Sequence, residues 1–473
     1  MILDPKPYPT MKDSGLPWVG EVPEHWSLVP NRALMRRRKV LVGKRHTEYR
    51  LLSLTKEGII IRDAESGKGK FSADMGTCQE VRSGDLVFCL FDVPETPRTI
   101  GLSRHNGMIT GAYTVFECSD PVVSAFLELF YRAMDDRKLL SPLYSGLRNT
   151  IPPTRFLGIK TPVPPHDEQS AIVHFLDYIE GRIRRYIRAK QKIIKLLEAQ
   201  KQVIIHRAVT RGLDPNVRLK PSGVEWLGDV PEHWVVWHIG HFSRVGNGST
   251  PSRGNSAYWN GGHYPWLNSA SANREVITQA DQFVTGIALR ECHLPIVPPS
   301  SVLVAITGQG KTRGKAAALR IEATINQHVA FIIPRANIAS ADYLRLALHG
   351  AYNQLRAISD DSGSTKGALT CADLKHFSLA LPPISEQGVI LEKVRDKTRT
   401  ISTAIDYANR EISLLREYRT RLISDVVTGK LDVRDIELPA ADAEATEECS
   451  DLPDIETYLE DQEMEEEIPA EGD

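Results

Sequence analysis

The sequence predicts an α+β chain: two similar domains of short twisted β-strands with peripheral helices, separated by two long helices that pair as a coiled coil. Three observations predict it. An internal repeat spans most of the 473 residues. β-Branched runs within each copy are cut by Gly, Pro, Asn and Ser turns. A long stripe of apolar residues at spacings of three and four closes each copy.

The repeat is read first. SGLPWVGEVPEHW at 14–26 returns as SGVEWLGDVPEHW at 222–234, identical at 9 of 13 positions and offset by 208 residues. PPHDEQSAIV from Pro164 returns as PPISEQGVIL from Pro382, and LLEAQKQVIIHRAVTRGLD from Leu196 as LLREYRTRLISDVVTGKLD from Leu414, both offset by 218. Between these anchors only the hydrophobic outline persists. GDLVFCLF (84–91) lies opposite SSVLVAIT (300–307), and MITGAYTVFE (108–117) opposite TINQHVAFII (324–333), at an offset of 216. The drift from 208 to 218 puts longer loops in the second copy on a retained strand framework.

The predicted order is a first domain over 1–163, a long helix within 164–213, a second domain over 214–381, a second long helix within 382–436 and an acidic tail over 437–473. Each helix starts after a Pro-Pro pair, where Asp167-Glu168 and Ser385-Glu386 favour an N-terminus. The first stripe is Ile172, Leu176, Ile179, Ile183, Ile187, Ile194, Leu197 and Ile204. The second is Ile390, Val394, Ile401, Ile405, Ala408, Ile412, Leu415, Leu422 and Val426. Both stripes are narrow and flanked by charge, which suits a paired seam better than burial in a globular core. Roughly 40 residues at ~1.5 Å each give a rod of ~60 Å.

The formal charge of -2 hides an asymmetry: residues 437–473 hold 16 Asp or Glu and no Lys or Arg, leaving 58 basic against 44 acidic residues in the body. A cationic body suits a polyanion, and the tail has the composition of a disordered, solubilising extension. A competitor for the body's anion-binding surface is the alternative role for the tail. The first long helix carries ten Lys or Arg and two acids between Glu180 and Arg211, so Arg184, Arg185, Arg188 and Lys192 form either a solvated face or a positive surface for a polyanion such as DNA or for an acidic partner subunit. The six cysteines are scattered without a C-x-x-C pair, which argues against a disulfide framework or zinc site. No membrane-length apolar run and no secretory pattern at MILDPKPYPT is visible, so a soluble, cytoplasmic protein is expected.

PEHW at the head of each half, the EQ motifs at Pro164 to Gln169 and Pro382 to Gln387, and the order domain, helix, domain, helix resemble type I restriction-modification specificity subunits across residues 14–433. The resemblance implies that each domain is a target recognition domain reading one half of a bipartite site in double-stranded DNA. It implies too that the helices form an antiparallel rod that sets the gap and docks two modification subunits, joined by restriction subunits. S-adenosylmethionine, ATP and Mg are then expected on those partners, with no cofactor, metal or catalytic residue on this chain.

DNA-contacting residues are sought among polar and basic residues in Gly-rich loops. The second domain offers Ser249, Thr250 and Arg253; Gln309, Lys311, Thr312 and Arg313; and Ser364, Thr365 and Lys366, three loops that resemble segments approaching DNA in the family, together with Asn268. The first offers Lys44 and Arg45, Arg98 and Thr99, Arg148 and Asn149, with Lys68 and Lys70 suited to phosphate. Arg98, Arg148, Arg253 and Arg313 are candidate guanine readers, and Asn149, Asn268 and Gln309 candidate adenine readers; for each, a solvated loop residue or a phosphate contact is the alternative.

AITGQGKTRG resembles the end of a phosphate-binding loop, but the first required glycine falls at Ala305 and the following residues read as strand. Neither an Asn- or Asp-Pro-Pro-aromatic tetrapeptide nor a nucleophile-and-base set is present. His25 and His233 more plausibly fasten their domains than bind metal, and His238 with His241 lacks further ligands nearby. A stand-alone DNA-binding regulator and an ATPase or nuclease built around Lys311 are the competing readings.

Overall fold

A computed structural model of the chain describes residues 5–56, 58–62, 75–308, 311–360 and 367–439. Contacts divide these residues into two units, one comprising the residues up to Gln191 and those from Asn409, the other Lys192–Ala408. Both boundaries fall inside long helices, so each unit combines a β-rich domain with part of each helix.

In the first unit, β1 (Arg36–Arg38), β2 (Leu86–Phe88), β3 (Ile100–Leu102) and β4 (Thr114–Glu117) form an antiparallel sheet in the order β1-β4-β2-β3. Helix α1 (Pro121–Asp136) begins at Asp120, whose carboxylate accepts the N–H groups of Val122 and Val123 at 2.7 and 3.4 Å, with Pro121 in the first turn. Phe126, Leu127, Phe130, Tyr131 and Met134 share one face of α1 by their helical spacing and are buried with Phe88, Phe116 and Phe156. The Phe88 ring lies 5.6 Å edge-on from Phe116 and 4.8 Å from Phe156.

The first long helix, α2 (His166–Arg211), leaves this domain. In the second unit, β5 (Ser243–Asn247), β6 (Val276–Ile277), β7 (Ser301–Ala305), β8 (Ala316–Leu319) and β9 (Val329–Pro334) form a sheet in the order β5-β9-β7-β8-β6, antiparallel except where β6 meets β8. A smaller sheet joins Gln282–Val284, Tyr264–Leu267 and Thr324–Ile325. Helix α3 (Ala341–Gly350), capped by Ser340, covers β7 and β8. The second long helix, α4, spans Ile384–Val427.

The repeat seen in the sequence is a repeat of strand register. Val115 faces Val87 in the first sheet and Phe331 faces Leu303 in the second, both pairs offset by 216. Phe116 faces Arg37, and Ile332 faces Val245. The strands that close each domain agree too, with Val163 opposite Ser27 and Leu381 opposite Val235.

The long helices pair. In the first unit the start of α2 (Ile172, Phe175, Leu176) is buried in one core with the end of α4 (Leu422, Ile423, Val426, Val427). In the second, the end of α2 (Ile205, Ala208, Val209) shares a core with the start of α4 (Ile390, Val394), so the helices run antiparallel. Ile183, Ile187 and Ile412 in the first unit, and Ile401 and Ala408 in the second, are buried along the seam, and Lys190 reaches Glu411 at 2.7 Å. The stripes were expected to be too narrow for a globular core. That holds along the seam but not at the helix ends, where adjacent apolar residues such as Leu422-Ile423 and Val426-Val427 widen the face enough to enter the domain core.

Among the described residues no helix is long and apolar enough to cross a membrane. The acidic tail lies outside the described residues apart from 437–439, as do Lys68, Lys70, Gln309, Ser364, Thr365 and Lys366.

Candidate nucleic-acid interface

The two motifs that each occur twice are partners in space. Glu168, on the first turn of α2, is buried and accepts hydrogen bonds from Tyr8 Oη at 2.6 Å and Trp26 Nε1 at 2.8 Å, with His25 Nε2 at 2.7 Å from its second oxygen. Glu386, on the first turn of α4, repeats this with His233 Nε2 at 2.8 Å and Trp234 Nε1 at 3.2 Å. Gly429 and Gly212, just beyond the C-terminal ends of α4 and α2, have φ of +74° and +72° and bring the chain against Trp26 and Trp234 respectively. Each PEHW thus clamps the start of one long helix and the end of the other to a domain, a fastening role for His25 and His233.

This clamp leaves the loops at the other strand ends free to carry chemistry. In the second unit they converge. Gly248 and Ser249 donate their N–H groups to the carbonyls of Asn326 and Ile325 at 3.3 and 3.1 Å, and a Cβ on Gly248 would overlap the Ile325 carbonyl. Thr250 Oγ1 donates to Gln327 Oε1 at 2.6 Å, Gln327 Nε2 lies 3.2 Å from His328 Nε2, and His328 Nδ1 lies 2.6 Å from Thr307 Oγ1. Thr307 in turn bridges to Ala368, at the edge of the third candidate loop. One hydrogen-bonded chain therefore links Thr250 of the first loop and Thr307 of the second through Gln327 and His328 of the turn at 326–328. Burial lowers the His328 pKa below its usual value, favouring the neutral ring.

Arg253 is exposed, its guanidinium 3.9 Å from the Trp259 ring centre and 5.0 Å from that of Trp266, and it donates to Gln282 Oε1 at 2.9 Å. Two indoles hold the charge ready without neutralising it. Lys311 is exposed, its carbonyl taken by Tyr352 Oη at 2.8 Å. Thr312 Oγ1 and Lys315 Nζ both reach Asn273 Oδ1, at 3.1 and 2.9 Å. Asn268 uses its side-chain oxygen to cap a short turn at Ala270.

The expectation of exposed loop readers fails at three positions. Arg313 is 3% exposed and pairs with Asp360; Gly367 lies against its guanidinium, where a Cβ would not fit, so the arginine braces the base of the third loop. Thr99 is buried, its N–H bound to Asp135 Oδ2 at 2.8 Å. Arg98 pairs with Asp136 at 2.6 Å and Asp135 at 3.8 Å, with its side chain 15% exposed. For both arginines the partner is an acidic residue distant in sequence.

In the first unit Lys44 and Arg45 are exposed on the turn Gly43–Glu48. Arg148 and Asn149 sit on a hairpin closed by reciprocal hydrogen bonds between Ser145 and Thr150 at 2.9 and 3.0 Å. Arg148 is tethered to Asp92 at 2.5 Å, and Asn149 takes φ of 42° to complete the turn; the tip, Leu147, is fully exposed.

Sequence reasoning missed Gln327 and His328. The available signal was divergence inside the repeat: at the same offset the first copy has Gly111-Ala112 where the second has Gln327-His328. His238 and His241 lie 5.2 Å apart, but among the described residues no group of three or more His, Cys, Asp or Glu could hold a metal ion.

Comparison with known proteins agrees with this architecture. Residues 231–406 match the type I restriction modification DNA specificity domain. The EcoR124I/EcoR124II specificity subunit of Escherichia coli is 24% identical over 328 residues, 64% of this chain and 74% of that protein. The MjaIX specificity subunit of Methanocaldococcus jannaschii is 32% identical over 168 residues, 35% of this chain and 38% of that protein. A solved chain of a type I R-M system shares the fold, with a TM-score of 0.59 and 16% identity over 87% of this chain and 99% of its own. With paired motifs, a duplicated strand register and antiparallel long helices alongside these likenesses, the chain is similar to type I restriction enzyme specificity subunits and matches their DNA specificity domain over residues 231–406.

Proposed function

We propose that this chain supplies DNA sequence specificity to a type I restriction-modification assembly and performs no catalysis itself. Each β-rich domain reads one half of a bipartite site, while the long helices set the gap and dock two modification subunits, which restriction subunits join. The observation that carries this reading is one strand register built twice and furnished with different loops. Two equal scaffolds with unequal loops suit two different half-sites, because a few side chains read bases while phosphate contacts fix orientation.

The cationic body left when residues 437–473 are set aside supports the same partner. S-adenosylmethionine, ATP and Mg belong to the partner subunits in this scheme. The segment leading through Lys311 continues into strand β8, so it lacks the helix N-terminus that a phosphate-binding loop needs. The relatives do not favour a stand-alone regulator, since those matched are specificity subunits.

The test is selection from a library of random duplexes by the full chain, alone and with modification subunits. Two constant blocks separated by a constant gap are expected, with two modification subunits co-purifying per chain. A single contiguous block, or no enrichment, contradicts the proposal.

A further inference from the structure

We propose that Gln327 reads an adenine in the half-site of the second domain, with His328 as the residue that positions it; this rests on the DNA-reading function above. Gln327 is an exposed residue on the turn between Thr324–Ile325 and β9, which Thr250 and Thr307 of two candidate loops reach. The turn is fixed, since His328 N–H donates to Asn326 Oδ1 at 3.0 Å and Asn326 N–H to the Leu267 carbonyl at 3.0 Å.

The carboxamide is held at both ends, its oxygen against Thr250 Oγ1 and its nitrogen against His328 Nε2. Those contacts use one lone pair and one N–H, leaving one N–H and one lone pair of the same amide for a ligand. Exchanging the amide's two ends, with the matching histidine tautomer, leaves the same pair. One donor beside one acceptor is the complement of adenine in the major groove, which offers N7 as acceptor and the N6 amino group as donor. Guanine offers two acceptors there, N7 and O6, so the amide oxygen would face another oxygen.

A glutamine free in solvent loses rotamer freedom when it binds, whereas this one is already ordered by Thr250 and His328. His328 is ordered in turn by Thr307. In the first domain the equivalent turn carries Gly111-Ala112, and a Cβ on Gly111 would lie 2.7 Å from the Thr77 carbonyl. No side chain can act there in the same way, so the two domains present different chemistry at one place on a common framework.

The experiment uses the full chain and the duplex recovered by the selection above, with each base pair replaced in turn. Wild type should lose roughly tenfold to a hundredfold in affinity when one adenine of one half-site becomes guanine or 7-deazaadenine. Gln327→Ala should lose that discrimination while keeping every other base preference and the salt dependence, and His328→Ala should lose part of it. Retained discrimination in Gln327→Ala, or a uniform loss at all positions, overturns the assignment and leaves the DNA-reading function standing. A wild-type chain with no base preference overturns both.

Discussion

The indole of Trp26 donates to the carboxylate of Glu168 at 2.8 Å across 142 residues of sequence. The carboxylate is buried and also serves Tyr8 and His25, so three donors depend on one acceptor.

Glu168→Ala therefore strands buried donors and should lower unfolding free energy by roughly 3 kcal/mol. Glu386→Ala should cost less, because the Glu386 side chain is 30% exposed and its contacts with Trp234 are longer. Urea unfolding followed by tryptophan fluorescence separates the two; equal losses would contradict the burial argument.

Gly248 has no room for a side chain against the Ile325 carbonyl. Gly248→Ala should displace Thr250 from Gln327 and weaken DNA binding roughly tenfold, the scale of one base-edge contact. Gly254→Ala is the control, since a Cβ there meets only Ser252 Oγ at 4.0 Å. Equal affinities in a fluorescence-anisotropy titration would show that the turn does not organise the interface.

His349, at the end of α3, is shielded from water, and this desolvation, with nearby Arg345, lowers its pKa from 6.5 to about 4. Between those values the unfolded chain binds the extra proton and the folded chain does not, so stability rises with pH. The contribution is complete above about pH 6.5 and is lost on acidification towards pH 4, by roughly 3 kcal/mol in all. Comparing wild type with His349→Phe by urea titration across this range should show a shallower acid loss in the variant; parallel curves would rule the residue out.

Arg184, Arg185 and Lys192 are exposed on α2, whereas Arg188 is half-buried and already engaged within the protein. If these three face phosphates, changing them to Gln should make the slope of log affinity against log salt shallower by about 2 to 3. An unchanged slope assigns the face to solvent.

Much of the fold was legible because duplication prints the same hydrophobic frame twice: the offsets of 208 and 216 in sequence are the offsets that carry Arg37 to Val245 and Val115 to Phe331 in the sheets. Both ends of the helix clamp were visible as motifs, yet nothing in the residues alone said that Trp26 meets Glu168, because that contact exists only once the chain has folded around it. The site was harder to read. A loop arginine looks the same whether it faces solvent or, like Arg313, an acid 47 residues away. Gln327 escaped notice because it sits in a three-residue turn between apolar strands rather than in a Gly-rich loop.

The proposed function requires two readers on one polypeptide to engage separated half-sites at a set distance. Affinity measured on duplexes that keep both half-sites and vary only the base pairs between them tests it most directly. One tight optimum is expected, with binding weakened by adding or removing one or two base pairs and weakened further when either half-site is scrambled. Affinity indifferent to the gap, or full affinity from one half-site alone, would contradict it.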